Sequence, residues 1–117
     1  MLIKGISEGF HDASVALVQD NQILWAKHAE RTTRKKNDRT NPASLRNVDA
    51  DASVFYENVP MKNLRRAKFG QSLLSTKIFD ECDYSLFHHE SHAAGAFYTS
   101  PFDKDVVCLV IDAIGEW

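Results

Sequence analysis

No stretch of this 117-residue chain is long and apolar enough to cross a bilayer. The longest apolar run, residues 106–111, is only about a third of the roughly 20 residues a spanning helix requires. Cysteine is scarce: Cys82 and Cys108 stand too far apart for a Cys-x-x-Cys motif, so reduced, partly buried thiols are expected. Neither sign of charge dominates, and a net charge of −2 excludes a general nucleic-acid coat, leaving only local basic patches. The opening Met1-Leu2-Ile3-Lys4-Gly5 has neither the basic nor the apolar region of a secretory signal, so a cytoplasmic location is expected. With 44% hydrophobic and 26% charged residues, what remains is ordinary globular material for one core and at most one domain.

The chain is rich in histidine at one place. Phe87-His88-His89-Glu90-Ser91-His92 carries three of its five histidines, followed by small and aromatic residues to Tyr98. Helical spacing over residues 88–98 puts His88 and His92 on one face, where two imidazoles can share a metal ion or an anion. A surface accident or a capping role would give the same pair, and two ligands are fewer than a typical site uses. His89 turns aside by about a quarter turn and reads as a supporting donor or an exposed residue. Glu90 reads as a first-turn carboxylate favoured by the helix N-terminus.

The remaining pattern is α/β. Residues 2–7, 14–18 and 22–27 read as a strand followed by a hairpin that turns at Asp20-Asn21. A short helix over residues 43–48 follows the break at Asn41-Pro42, and residues 52–56 read as a buried strand. A loose helical pattern over 61–75 is interrupted by Gly70, and residues 84–87 form a strand feeding the histidine helix. Residues 106–111 are apolar on both faces, the pattern of a central strand in an α/β sheet.

Two polar segments stand out between these elements. In Gly9-Phe10-His11-Asp12-Ala13-Ser14, backbone amides and the Ser14 hydroxyl suit a phosphate, although a plain turn uses the same residues. Arg31, Arg34, Lys35, Lys36 and Arg39 face a single acid, Asp38, and read either as a solvated loop or as a clamp for an anionic ligand. No aromatic interleaving marks this run as a platform for single-stranded nucleic acid.

Six blocks in order carry a resemblance: Gly9 to Ser14, Glu30-Arg31-Thr32-Thr33-Arg34-Lys35-Lys36-Asn37-Asp38, Val54-Phe55-Tyr56-Glu57, His88-His89-Glu90-Ser91-His92-Ala93-Ala94, Tyr98-Thr99-Ser100-Pro101-Phe102 and Ile111-Asp112-Ala113-Ile114-Gly115-Glu116-Trp117. Together they resemble the N-terminal region of the O-carbamoyltransferases of nodulation-factor and antibiotic biosynthesis, which are related to the tRNA threonylcarbamoyladenosine-modification protein. The resemblance implies an actin-like, sugar-kinase-like ATPase fold, a mixed sheet with flanking helices, of which residues 1–117 form part of the N-terminal lobe. It implies transfer of a carbamoyl group from carbamoyl phosphate, through carbamoyl adenylate made with ATP, to a small hydroxyl-bearing acceptor. A homodimer is among the expected assemblies of the longer enzyme; membrane and nucleic-acid partners are not expected.

Matched residue by residue, the resemblance makes His88 and His92 ligands of a divalent metal, iron first and zinc second, with an aspartate beyond Trp117 as a further ligand. It makes His11 and Asp12 part of a catalytic loop in which a neutral imidazole accepts the acceptor's proton. Lys36 joins the catalytic set, and Arg34 with Lys36 faces the anionic part of the donor. Ser14 and Asp112 fall on the nucleotide side, Asp112 orienting the nucleotide or a metal-bound water. Asn37 and Ala113 stand where the commoner pattern has His and Gly, and the stretches 41–51 and 61–83 look trimmed by one or two helices. Two other readings stand beside this one, a threonylcarbamoyl-type tRNA enzyme and a non-catalytic nucleotide- or metal-binding remnant. On any of these the isolated chain is expected to lack transfer activity and to expose apolar surface.

Overall fold

The computed structural model describes residues 1–113. Its centre is a five-stranded sheet in the order β3-β2-β1-β4-β5, built from β1 (Leu2–Ser7), β2 (Ser14–Gln19), β3 (Gln22–His28), β4 (Ala52–Phe55) and β5 (Tyr84–Ser85). β1, β2 and β3 form an antiparallel meander, and β4 and β5 continue it in parallel with β1. The β2–β3 connection is two residues, Asp20 and Asn21, both at positive φ (48° and 65°), which matches the twist a tight hairpin needs. The fold is thus an α/β mixed-sheet domain, as the alternation of strand and helix patterns predicts.

The parallel strands need crossovers, and short helices supply them. Between β3 and β4 lie α1 (Glu30–Thr33) and α2 (Ala43–Arg46); between β4 and β5 lie α3 (Val59–Lys68) and α4 (Lys77–Asp80). α3 starts where the Asn58 side chain accepts the Met61 N–H at 3.1 Å, with Pro60 in the first turn. It stops before Gly70, whose φ of 64° reverses the chain, so the expected helical pattern over 61–75 divides into α3 and a separate α4. α5 (His88–Tyr98) follows β5 with the expected bounds, and Glu90 accepts the Phe87 N–H at 2.8 Å, capping its first turn.

The core lies where β1 and β4 are paired. Ile6 and Phe55, register partners, pack with Val59 of α3, and Tyr56, Leu74, Ile78, Phe79 and Cys82 close over them. Phe55 meets Phe79 edge-on at 5.9 Å.

The strand expected over residues 106–111 does not form. That segment runs without regular structure, with Val107 97% and Ile111 81% exposed. A strand apolar on both faces requires a neighbour along each edge and a layer on each side, and no described segment pairs with it. β5 is likewise shorter than expected, two residues against four. Of the last sequence block, Ile114, Gly115, Glu116 and Trp117 lie outside the described residues.

Where β4 meets β5, Asp83 accepts both the N–H (2.8 Å) and the hydroxyl (2.7 Å) of Ser53. These bonds, the hydroxyl first, hold its carboxyl below the ordinary aspartate value of 3.8; the Thr33 hydroxyl does the same for Asp38. A depressed folded-state value means that the stabilisation is complete above pH 3.8 and is lost as pH falls through the folded value. Urea unfolding of the chain at neutral pH and at about pH 2.5 should therefore show a loss of stability in acid that is smaller in Asp83→Asn. An equal acid loss in both would remove Asp83 from the account.

Candidate functional site

The carboxyl ends of the parallel strands β1, β4 and β5 point the same way, and the chemistry-bearing residues gather there. α5 starts two residues after β5, so its first turn stands at that end of the sheet. Ser91 donates its hydroxyl to the Tyr56 carbonyl at 2.6 Å and ties the helix to the end of β4.

On α5, His88 and His92 stack edge-on with ring centres 4.6 Å apart, and their Nε2 atoms are 3.2 Å apart. Asp112 reaches His88 and its neighbour His89: its Oδ2 is 3.1 Å from His88 Nε2 and 3.3 Å from His89 Nε2. One donor atom from each of His88, His92 and Asp112 lies within 4.8 Å of the others. Donors about 2.0–2.1 Å from a common ion stand roughly 3 Å apart around it, and the two spacings at His88 Nε2, to His92 Nε2 and to Asp112 Oδ2, are of that size. Imidazole with carboxylate suits iron and zinc alike.

Behind His88 lies a carboxylate that spacing alone did not single out. Glu57, 2% exposed, has Oε2 at 3.9 Å from His88 Nδ1. It accepts the Tyr56 hydroxyl at 2.6 Å and forms an ion pair with Lys62 of α3. Burial, then the hydrogen bond to Glu57, pushes the Tyr56 phenol far above its ordinary value, so it stays a donor. The signal for Glu57 was its position, an acidic residue directly past a buried strand, where α/β sheets place ligand contacts.

Lys62 also reaches the β1–β2 loop, its Nζ standing 4.9 Å from the centre of the Phe10 ring. Phe10 packs on His11 at 4.6 Å, and His11 Nδ1 is 2.7 Å from Asp12 Oδ2. Asp12 has φ 52°, a left-handed conformation that aspartate tolerates better than most residues. Ser14 begins β2, in register with Ser7 and His28, and is half-buried.

The basic segment is held against this loop by main-chain bonds. Gly9 N–H donates to the Arg39 carbonyl (2.9 Å) and Ala13 N–H to the Asp38 carbonyl (2.8 Å). Asn41, fully buried, donates its amide to the Ser7 carbonyl and to Glu8 Oε2, each at 3.0 Å, and Arg46 stands 3.6 Å from Glu8. Arg34, at φ 59°, and Lys36 are exposed on this segment. No hydrogen bond or ion pair joins either to His11 or Asp12 among the described residues. The structure therefore gathers His88, His92 and Asp112 directly, links the His11 loop to them through Lys62 and Glu57, and leaves Arg34 and Lys36 on the adjoining rim. Asp112, expected from the resemblance to orient the nucleotide or a metal-bound water, stands beside His88 and His89.

Residues 53–117 match the family described as carbamoyltransferase N-terminus, and the chain belongs to that family. An uncharacterized protein of Synechocystis is 33% identical to it over 160 positions, which take in 98% of this chain and 26% of that protein. Since 160 positions are aligned against 117 residues, that relative carries residues with no counterpart here. An uncharacterized protein of Methanocaldococcus jannaschii is 32% identical over 127 positions, 98% of this chain and 23% of that protein. The chain spans about a quarter of the length of these curated relatives.

The Asn41 staple gives a measurable expectation. Asn41→Ala removes two amide bonds and leaves the Ser7 carbonyl and the Glu8 carboxylate short of a donor, at a cost of about 1–3 kcal/mol in urea unfolding. A change within the scatter of exposed substitutions would show that water replaces the amide.

Proposed function

We propose that this chain is the metal-holding N-terminal part of an O-carbamoyltransferase, in an actin-like lobe, that transfers a carbamoyl group from carbamoyl adenylate to a hydroxyl. Membership of the carbamoyltransferase N-terminus family supports the class of reaction. The observation that carries the site is the meeting of His88, His92 and Asp112, donors from a helix and from a segment well beyond it in sequence. The mixed sheet, with its antiparallel meander and two further parallel strands, is compatible with the expected lobe. Because the chain spans about a quarter of its relatives, transfer is assigned to the longer enzyme and not to these residues alone.

In this reading His11 is the base. Asp12 engages Nδ1, which leaves Nε2 to take the acceptor's proton as its oxygen forms the bond to the carbamoyl carbon. The bond from that carbon to the adenylate oxygen breaks, and AMP leaves with the electron pair. Arg34 and Lys36, on the rim, face the anionic side of the donor, and Ser14 stands near the phosphate loop. His88, His92 and Asp112 would hold a divalent ion, which would supply positive charge against the negative charge developing on donor oxygens.

Elemental analysis of variants tests the metal centre. His88→Ala, His92→Ala and Asp112→Ala are each expected to lose the bound divalent ion, while His89→Ala, outside the set of three donors, loses much less. Equal loss in all four, or no metal in the unaltered protein, would overturn the assignment.

Kinetics of the longer enzyme test the rim. Lys36→Ala is expected to raise the apparent KM for carbamoyl phosphate or ATP several-fold with little change for the acceptor. A change confined to acceptor kinetics would assign the basic segment to the other substrate.

A further inference from the structure

We propose that Glu57 is the positioning residue of His88: it draws the ring proton to Nδ1 and thereby turns the Nε2 lone pair toward His92 and Asp112. This rests on the reading of that cluster as a metal centre. The two nitrogens of one imidazole face opposite ways here, Nδ1 toward Glu57 Oε2 at 3.9 Å and Nε2 toward Asp112 Oδ2 at 3.1 Å and His92 Nε2 at 3.2 Å. A neutral imidazole carries one proton, and whichever nitrogen keeps it cannot be a ligand. A carboxylate behind the ring settles which one, as in histidines that bind metal through one nitrogen and donate from the other.

Glu57 is equipped for this and for little else in view. At 2% exposure it cannot rely on water. Oε1 accepts the Tyr56 hydroxyl, while Oε2 is paired with the Lys62 ammonium and is the oxygen that stands 3.9 Å from His88 Nδ1. A separation of 3.9 Å is an ion-pair distance, too short to admit a bridging water. Tyr56 contributes twice, since its ring also meets the His88 ring edge-on at 6.0 Å. Lys62 compensates the buried charge while reaching the Phe10 ring, so the residue that steadies Glu57 also touches the loop bearing His11.

The test reads the ring proton directly. Asp112 competes for it from the other side, so the tautomer is measured by long-range proton–nitrogen NMR on metal-free Asp112→Asn protein at about pH 8. His88 is expected to carry its proton on Nδ1, and adding Glu57→Gln is expected to shift the population toward Nε2. In the otherwise unaltered chain, Glu57→Gln is expected to weaken cobalt(II) binding about 10- to 100-fold with the circular-dichroism spectrum retained, and Glu57→Asp to recover part of the loss. A His88 ring protonated mainly on Nε2 in Asp112→Asn overturns the proposal, as does a folded Glu57→Gln with tautomer and cobalt affinity both unchanged. If Glu57→Gln fails to fold, the Asp112→Asn spectrum decides alone. Retained cobalt binding in His88→Ala would overturn the metal centre itself, a separate result from the tautomer.

Discussion

The buried ion pair of Glu57 and Lys62 is the constraint around which this end of the molecule is arranged. An ionised carboxylate at 2% exposure is tolerated only when it is paired and hydrogen-bonded, and each of its partners comes from a different place. Tyr56 extends the end of β4, Lys62 belongs to α3, and His88 opens α5. Satisfying one charge therefore fixes the approach of two helices to one strand, and through the Phe10 ring it fixes the β1–β2 loop as well.

A second polar knot does the same for the other rim. Asn41 is wholly buried, yet it joins the end of β1 to the start of α2 by its amide and its main chain, with Glu8 accepting from both. Apolar packing alone would leave these connections free to slide, because it carries no direction. Directional bonds define where the basic segment lies relative to His11, and apolar contacts around Phe55 supply the cohesion.

Local physics made much of the fold legible. The Asp20-Asn21 turn fixed the hairpin, and the helix from His88 to Tyr98 needed only its own capping carboxylate and small residues to declare itself. The pairing of His88 with His92 followed from helical spacing. What spacing could not supply was anything brought together by the crossovers: the arrival of Asp112 at the histidines, the role of Glu57 behind them, and the contact of Lys62 with Phe10. Residues 106–111 misled for the same reason, since an apolar run becomes a strand only when other strands receive it.

The three donors at the head of α5 differ in how they are held. Two imidazoles ride on a hydrogen-bonded helix, one turn apart, whereas the carboxylate of Asp112 arrives on a segment with no ladder or helix of its own. A cation seated there would close the chain from His92 to Asp112 into a ring. The exposed apolar side chains along it, Val107, Leu109 and Ile111, would then ride on a closed loop anchored at both ends to the helix.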